Sequence, residues 1–344
     1  MRKRRSCAGV WAFDGMTGVR IAVAGAGSIG CFVGGLLAHA GHDVRFLGRA
    51  RLVDACATSG LRLTGYDGLD LHLQQVQATA SPEVGLADAD VVLVCVKSGD
   101  TAAMAAQIAQ YADGAQVISL QNGVTNAATL RAALPRHDVR AAMVPFNVVA
   151  EGAAHVHRAT SGDILVEAGP LPALSTAHLA WTAHTDIEAV QWGKLLINLG
   201  NAVNALSDLP LLEQLQDVRW RRLLADQMRE ALRVLRAAGI TPAKTTAVAP
   251  GLIPMILRLP TPVFRLVAAQ MLTIDATARS SMWEDLKRGR TTEIDALQGT
   301  ILQLADRFGR QAPVNARMRQ LIQAAETAGN GPPGLSVDEI RRTL

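Results

Sequence analysis

A lysine and two asparagines are expected to share one face of a helix in the segment WGKLLINLGNAVNAL, residues 192–206. At about 100° per residue, Lys194, Asn198 and Asn201 fall within an arc of about 60°. A solvated face is the usual place for a lysine, but such faces favour Glu, Lys, Arg and Gln over asparagine, which is a poor helix former. We therefore predict that this polar stripe faces a polar ligand.

The residue types on this stripe suit the reduction of a carbonyl group. Hydride transfer to a carbonyl carbon leaves negative charge on the oxygen, and a protonated lysine can donate its proton to that oxygen. The amides can bind the rest of the substrate. We therefore predict that Lys194 is a general acid and that Asn198 and Asn201 bind substrate.

A second candidate region is the segment ARSSMWEDLKRGRTTEIDALQGTI, residues 278–301. Thr292 to Asp295 fit a capping box, which places Glu293 in the first turn of a helix, where a carboxylate is favoured. Glu293 then serves either catalysis or only the start of the helix. Ser281 is either a ligand contact or part of a turn.

A glycine-rich loop supplies the expected site for the hydride donor. GAGSIG follows the buried strand pattern VRIAVAG, opens a helix of small residues and is followed by the strand pattern DVRFLGR. In this context GxGxxG predicts a dinucleotide site, with the pyrophosphate at the N-terminus of the helix, and a plain glycine-rich turn is the alternative. The predicted cofactor-binding residues of this loop are Gly25, Ala26, Gly27, Ser28, Ile29 and Gly30.

The end of the second strand indicates which dinucleotide is bound. An acidic residue there would bind the ribose hydroxyls of NAD and repel a 2′-phosphate, but residues 46–51 read FLGRAR and contain no carboxylate. Arg49 offers a fork of donors that suits a phosphate. We therefore predict NADP(H) as the cofactor. Arg51 is a second candidate, although a solvated surface charge explains it better.

Two further polar residues follow predicted strands. VCVKSGDT places Lys97 at the carboxyl end of one strand, and ISLQNGV places Asn122 at the end of the next. The pair Asn122-Gly123 also has the composition of a turn. Because ligands bind beyond the carboxyl ends of strands in an open α/β sheet, we predict that Lys97 and Asn122 contact the cofactor.

The pattern of elements predicts an α/β chain with two domains. Short apolar strands alternate with helices to about residue 169, and LRLTGYDGLDLHLQ has the pattern of an inserted β-hairpin. After residue 186 helical periodicity takes over. We predict a Rossmann-type NADP-binding domain at 19–185 and an all-α substrate domain at 186–328. Residues 1–18 are predicted to be a disordered extension, and residues 329–344 a C-terminal tail.

Composition and charge argue against several classes of protein. The 344 residues are 49% hydrophobic and 19% charged, which suits a globular chain with a sizeable core. Aromatic residues make up only 4%, and the opening MRKRR carries four of the positive charges behind the net charge of +4. We therefore expect no nucleic-acid partner. No run of about 18 apolar residues occurs, so no membrane span is expected.

The cysteines and histidines give no sign of a disulfide framework or a metal site. The cysteines are widely scattered and form no CxxC pair, which fits a reducing compartment, and we expect a cytoplasmic protein. His155 and His157 share one strand face but have no evident third ligand nearby, so no metal is expected. For the opening MRKRRSCAGVWAFDG, a signal peptide is the alternative to a disordered extension.

Taken together, these segments resemble the ketopantoate reductase (2-dehydropantoate 2-reductase) family over about residues 19 to 325. The motifs that carry the resemblance are GAGSIG, LGR after the second strand, VCVKSGDT, LQNGV, WGKLLIN and SSMWEDLKRGRTTEID, of which the last is the most specific. The resemblance implies a Rossmann domain followed by a helical C-terminal domain, a 6-phosphogluconate-dehydrogenase-like fold. It also implies NADPH-dependent reduction of 2-dehydropantoate to (R)-pantoate in pantothenate biosynthesis. The oligomeric state stays open, a homodimer included.

The resemblance implies roles for single residues. Lys194 matches the proton donor, and Glu293 matches an acidic residue near the nicotinamide and the substrate hydroxyl. Asn198 and Ser281 match substrate-binding positions, and Asn122 matches a contact to both cofactor and substrate. The basic residues that match cofactor contacts are Lys97 and Arg49.

One departure from the family leaves the substrate open. Members commonly carry another asparagine eight residues after the lysine, where this chain has Ala202. Asn201 precedes it and points closer to the Lys194 direction on a helix, so it can substitute. The alternatives are a related enzyme that reduces another branched 2-keto acid and a non-catalytic NADP-binding sensor.

Overall fold

The computed structural model describes residues 18–269 and 277–342, and residues 1–17 of the predicted extension lie outside those ranges. The chain divides into two compact units, with the division between Ile187 and Glu188. The first unit is α/β and the second is helical. This architecture confirms the predicted fold class.

The first unit alternates strands and helices. Its strands are β1 (Arg20–Ala24), β2 (Asp43–Leu47), β3 (Leu61–Gly65), β4 (Asp70–Leu73), β5 (Gln77–Thr79), β6 (Val91–Val94), β7 (Gln116–Ser119), β8 (Asp138–Met143), β9 (Val148–Ala150), β10 (His155–Arg158), β11 (Ile164–Glu167) and β12 (Trp181–His184). Its helices are α1 (Ser28–His39), α2 (Ala50–Ser59), α3 (Pro82–Leu86), α4 (Thr101–Tyr111) and α5 (Asn126–Ala133).

The large sheet of this unit has the strand order β12-β11-β8-β7-β6-β1-β2-β5. Neighbouring strands from β5 to β8 are parallel. When the β3–β4 pair is set aside, these strands follow the Rossmann order 3-2-1-4-5-6, in which the order reverses between β1 and β6. Loops after β1 and β6 therefore flank the point at which such folds bind dinucleotides.

The predicted hairpin is confirmed. β3 and β4 pair antiparallel on either side of a turn in which Gly68 has a φ of +86°, a conformation that glycine adopts without strain. β3 also pairs with β10, which gives a smaller sheet with the order β4-β3-β10-β9.

Strand β1 shows why the large sheet is buried on both faces. Ile21 and Val23 belong to a core that includes Phe32 of α1, whereas Ala22 belongs to a core that includes Ile108 of α4. Strands that are covered on both faces by helices have nearly continuous apolar sequences. This burial holds the ends of β1 and β6, and the loops that follow them, in fixed positions.

The second unit is built from helices. They are α6 (Ile187–Asn198), α7 (Gly200–Ser207), α8 (Leu211–Gln216), α9 (Val218–Ala237), α10 (Ile253–Leu257), α11 (Thr261–Val267), α12 (Ser281–Lys287), α13 (Thr300–Arg307), α14 (Pro313–Ala328) and α15 (Val337–Arg341). A 3₁₀ turn at Pro250–Leu252 precedes α10, and a π-turn at Asp295–Gly299 precedes α13. Within the described ranges, no helix combines the length and the apolar character needed to cross a membrane.

Buried charges of α9 fix the surrounding segments. The guanidinium of Arg221, which is 0% exposed, donates to the carbonyls of Leu257 and Leu259 at 3.1 and 2.9 Å. The carboxylate of Glu230 accepts from the backbone N–H of Val314 at 2.9 Å, at the start of α14. Because buried charges are costly unless they are hydrogen-bonded, these bonds specify where the segments lie.

Part of the predicted tail packs on the second unit. The backbone N–H of Leu335 donates to the carbonyl of Leu206 at 2.8 Å. Ser336 and Glu339 form a capping box at the start of α15, and Ile340 in that helix is buried.

Candidate active site

The glycine loop after β1 has the geometry of a phosphate-binding turn. Gly25 has a φ of +93°, and a Cβ there would lie 2.7 Å from the backbone nitrogen of Val96, so only glycine fits. A Cβ at Gly30 would meet the side chain of Val23 at 2.8 Å, which shows how closely α1 packs on β1. A Cβ at Gly27 would meet no described atom within 4 Å, so the N-terminus of α1 is open to an anion.

Arg49 lies close to this loop. Gly25 and Ala26 both donate backbone hydrogen bonds to the carbonyl of Leu47 at the end of β2, at 3.1 and 2.8 Å. Arg49 follows two residues later, immediately before α2, and its side chain is exposed. The end of β2 thus presents a cation and no carboxylate beside the glycine loop. These residues fit a dinucleotide that carries a 2′-phosphate.

Two loops at the carboxyl ends of β6 and β7 carry the other predicted cofactor contacts. Lys97 immediately precedes a 3₁₀ turn that begins at Ser98. The carbonyl of Asn122 accepts from Ser98 Oγ at 3.3 Å and from Asn126 Nδ2 at 2.6 Å. The loop of Lys97 and the loop of Asn122 are therefore held together by hydrogen bonds.

Buried polar side chains beneath these loops were missed by the sequence analysis. Gln121 Nε2 donates to the carbonyl of Val96 at 3.0 Å and to Thr101 Oγ1 at 2.7 Å. Thr101 Oγ1 also lies within hydrogen-bond distance of Asn126 Oδ1, at 2.9 Å. All three side chains are more than nine-tenths buried. The network therefore holds the backbone of the two loops in place and does not itself face solvent. The only sign of this network in the sequence was Asn126, a second asparagine four residues after Asn122.

Lys194 and Glu293 are brought together within the second unit. Lys194 lies on α6 next to the buried Leu195 and is itself partly buried. Burial lowers the pKa of its ammonium group from 10.5 to about 8, while the charge of Glu293 acts in the opposite direction. Two residues that are far apart in the sequence, and that were both predicted to be catalytic, are thus coupled electrostatically.

The helical stretch predicted across residues 192–206 is present but is divided at one residue, which the sequence did not indicate. α6 ends at Asn198 and α7 begins at Gly200, with the interruption at Leu199. The carbonyl of Leu199 accepts from the side chain of Gln298 at 3.0 Å, and a side chain inserted into the helix ladder is a known cause of such breaks. Leu199 keeps helical dihedral angles, with φ −55° and ψ −30°. The backbone N–H of Leu199 also donates to the carbonyl of Leu195 at 3.0 Å, so the arc calculated for a regular helix still applies past Leu199.

Asn204, the third asparagine of this stretch, holds the segment of Ser281 on α7. Its side chain is fully buried: Oδ1 accepts from the backbone N–H of Ser280 at 2.9 Å, and Nδ2 donates to the carbonyl of Leu209 at 2.9 Å. Ser280 Oγ in turn donates to the carbonyl of Asn201 at 3.2 Å. Ser281 is the first residue of α12 and is exposed. The structure thus places Ser281 near α7.

The capping box predicted from Thr292 to Asp295 forms only in part: Thr292 Oγ1 accepts from the backbone N–H of Ile294 at 3.2 Å, but Asp295 does not supply the reciprocal bond. The backbone N–H of Thr292 donates to the carboxylate of Glu326 at 2.6 Å, and the carboxylate of Asp295 accepts from Arg319 at 2.6 Å. Glu326 of α14 therefore accepts the hydrogen bond that Asp295 would accept in a capping box, and Asp295 pairs with Arg319 of α14 instead. Glu293, which is partly buried, lies two residues before the π-turn, and its carbonyl accepts from the backbone N–H of Leu297 at 3.1 Å.

The histidines of β10 contact a hydroxyl group. His155 Nε2 and His157 Nδ1 lie 3.1 and 2.9 Å from Thr64 Oγ1. Across residues 18–269 and 277–342, no group of three or more His, Cys, Asp or Glu side chains is arranged to hold a metal ion.

Six parallel strands in Rossmann order, a glycine loop at the start of the first helix and a lysine coupled to a carboxylate indicate a dinucleotide-dependent oxidoreductase. Residues 21–170 match the family model described as ketopantoate reductase PanE/ApbA, and residues 186–326 match the model of its C-terminal region. The chain belongs to the ketopantoate reductase family, whose members are NADPH-dependent oxidoreductases.

Individual relatives agree with this assignment. A 2-dehydropantoate 2-reductase from Halobacterium salinarum is 29% identical over 323 residues, which cover 90% of this chain and 100% of that protein. The crystal structure of a PanE/ApbA family ketopantoate reductase from Ralstonia eutropha JMP134 is 31% identical, with a TM-score of 0.77, and the match covers 90% of this chain and 99% of that one. A dimeric ketopantoate reductase from Staphylococcus aureus shares the fold at 18% identity and a TM-score of 0.69, over 90% of this chain and 99% of that one.

Proposed function

We propose that this protein reduces 2-dehydropantoate to (R)-pantoate, with NADPH as the donor of the hydride. The observation that carries the proposal is the coupled pair of Lys194 and Glu293, in which burial lowers the pKa of the lysine to about 8. Such a lysine is still mostly protonated at neutral pH, yet it gives up its proton more readily than an ordinary lysine. A general acid works best when its pKa lies near the operating pH.

Each residue has a separate task in the proposed reaction. Lys194 donates its proton to the oxygen that gains negative charge as the keto group is reduced. Glu293 opposes premature loss of that proton, because its charge raises the pKa of the lysine. Asn198, Asn201 and Ser281 bind the substrate. The proposed cofactor contacts are residues 25–30, Arg49, Lys97 and Asn122, of which Asn122 also contacts the substrate.

The burial of α7 supports Asn201 as a substrate contact. Ala202, at the position where the family commonly has asparagine, is 0% exposed, whereas Asn201 is partly exposed. An asparagine at position 202 of this chain would lie in the core. Asn201 is therefore the better counterpart of the family's second asparagine.

Steady-state kinetics with a panel of branched 2-keto acids test the proposal. 2-Dehydropantoate with NADPH should give the highest kcat/KM of the panel, by about tenfold or more, and NADH should be a poorer donor. Lys194→Ala should abolish turnover and leave the Kd for NADPH within about twofold, because the lysine acts in the chemical step. NADPH binding without turnover on any keto acid would contradict the proposal and indicate a sensor.

We also infer that the protein forms a homodimer in the cytoplasm. The exposed apolar side chains of α10, α11 and the turn before them are Leu252, Met255, Val263, Leu266 and Val267. The three on α11 share one face by their spacing. Exposed apolar patches often mark protein interfaces, and the S. aureus relative is a dimer.

The oligomeric state can be measured directly. Sedimentation should show a dimer for the wild-type protein and a monomer for Leu266→Glu, because a charge at this 81% exposed position opposes burial in an interface. Arg265→Glu, which changes the exposed neighbouring side chain, is the control. A monomeric wild-type protein would contradict the inference, and recovery outside the cytoplasmic fraction of the cell would contradict the location.

A further inference from the structure

Gln298 links the segment of Glu293 to the helix of Lys194. Its side chain is 0% exposed, and its Nε2 donates to the carbonyl of Leu199 at 3.0 Å, across 99 residues of sequence. Leu199 is the residue at which α6 gives way to α7. The bond therefore acts at the interruption between the helices that carry the proposed substrate asparagines.

Glu293 and Gln298 act on the lysine helix from the same short segment. Glu293 precedes the π-turn, and its carbonyl accepts from the backbone N–H of Leu297 at 3.1 Å. Glu293 and Gln298 are five residues apart, and Gln298 lies within the π-turn. Glu293 acts on the ammonium of Lys194, and Gln298 on the carbonyl of Leu199, which are also five residues apart. Two links of equal spacing thus join the segments.

Helix α14 holds the same segment independently. Glu326 bonds the backbone N–H of Thr292, and Arg319 bonds the carboxylate of Asp295, both at 2.6 Å. These bonds attach the segment to α14, whereas the bond of Gln298 attaches it to the interrupted helix. The loss of the Gln298 amide should therefore loosen the contact with the lysine helix while the segment stays attached to α14.

The burial of Gln298 favours a positioning role. Its Oε1 is buried and accepts no hydrogen bond from the part of the chain that the structure describes. A buried amide that leaves one atom unsatisfied bears a desolvation cost that an apolar side chain of the same shape does not. Stability alone therefore does not account for an amide at this position.

We propose that Gln298 is a positioning residue that fixes the register of the Glu293 segment on the Lys194 helix. Its bond to the carbonyl of Leu199, where α6 meets α7, holds the segment so that Glu293 acts on the lysine. The kinetic consequence rests on the proposed function, because it is measured with a keto acid. The coupling between Glu293 and Lys194 can be measured without turnover.

A double-mutant cycle on the pKa of Lys194 tests the proposal. Glu293→Gln removes the charge that raises this pKa and should lower it. Gln298→Met keeps the length of the side chain but removes the amide. In this background, Glu293→Gln should lower the pKa of Lys194 by less than about half of the shift that it causes in the wild-type protein. The other carboxylate of α6, that of Glu188, accepts from Trp192 Nε1 at 3.3 Å and is unchanged throughout.

The pKa is read by NMR of isotope-labelled, reductively methylated lysines, with Lys194→Arg to assign the resonance. Gln227→Met is the matched control, because Gln227 is also 0% exposed in the second unit and its side chain bonds no other described residue. Glu293→Gln should lower the pKa of Lys194 as much in this background as in the wild type. An equal effect in the wild type, Gln227→Met and Gln298→Met would overturn the proposal.

Kinetics give the second readout. Gln298→Met should lower kcat/KM for the keto acid about tenfold or more, because misplaced catalytic groups cost rate, and should leave the Kd for NADPH within about twofold. Wild-type kcat/KM in Gln298→Met would count against the positioning role. If the wild-type protein does not reduce 2-dehydropantoate, the proposed function fails while the NMR cycle still decides the role of Gln298.

A second variant covers the case in which Gln298→Met does not fold. Gln298→Asn keeps a buried amide but shortens its reach by one methylene, so the bond to Leu199 should be lost. It should weaken the coupling between Glu293 and Lys194 in the same direction as Gln298→Met. Full coupling in Gln298→Asn would reject the proposal.

Discussion

The protonation of Lys194 should set the alkaline limit of turnover. Burial lowers its pKa from 10.5 to about 8, and a difference of this size corresponds to about 3 kcal/mol in favour of the neutral amine. A general acid works only when protonated, so activity is present below this pKa and is lost as the pH rises through it. The protonated fraction falls from about nine-tenths near pH 7 to about one-tenth near pH 9, so kcat/KM should fall about tenfold. A lysine with an ordinary pKa would keep the rate constant over this interval.

Replacing Glu293 tests the cause of this behaviour. Glu293→Gln removes the charge that raises the pKa of Lys194, so the alkaline limb should move to lower pH. Asp295→Asn is the matched control, because it removes an equal charge two residues away, on a carboxylate that is 64% exposed and paired with Arg319. Initial rates of NADPH oxidation at low keto acid concentration, from about pH 6 to about pH 10, measure the alkaline limb of the wild-type protein and of each variant. A wild-type profile that is flat to about pH 10, or an unchanged limb in Glu293→Gln, would refute the reasoning.

Stability should respond to pH in the opposite sense. The pKa of Lys194 is about 8 in the folded protein and near 10.5 in the unfolded chain, so the unfolded state binds more protons between these values. This group therefore makes the free energy of unfolding rise as the pH rises from about 8 to about 10.5. Urea unfolding at both ends of the window should show a smaller rise in Lys194→Met, and an equal rise in both proteins would show that the lysine is not desolvated.

Three other outcomes are expected. Arg49→Ala should raise the KM for NADPH about tenfold without a matching change for NADH, because it removes a donor to the 2′-phosphate, and Arg51→Ala should not. Gly25→Ala should abolish NADPH binding in calorimetry, because its φ is +93° and a Cβ would lie 2.7 Å from the backbone nitrogen of Val96; normal binding would contradict the proposed loop. Asn204→Leu should lower the free energy of unfolding in urea by about 2 kcal/mol, because a buried backbone N–H loses its acceptor, and should raise the KM for the keto acid.

Features that depend on local pattern were predictable from the sequence. The Rossmann order follows from short apolar runs that alternate with helices, and the glycine loop follows from the steric demands of one turn. The bond to the carbonyl of Leu199 was not predictable, because its donor is Gln298, 99 residues later in the chain. The reciprocal bond of the predicted capping box is absent for the same reason. The carboxylate of Glu326 on α14 accepts from the backbone N–H of Thr292, which the local pattern had paired with Asp295. Local propensity cannot reveal a partner that only the tertiary structure supplies.

The interruption also bears on the asparagine that differs from the family pattern. Neighbouring positions on a regular helix point about 100° apart, so an asparagine moved by one residue relative to Lys194 would face a different direction. Leu199 lies between Lys194 and Asn201 and keeps helical dihedral angles, so the same relation holds for these two residues. Ala202 is fully buried and Asn201 is partly exposed, so α7 as it lies here turns position 201 outward. Because Gln298 bonds the carbonyl of Leu199, two residues before Asn201, we expect the substrate preference of this chain to respond to changes at both Gln298 and Asn201.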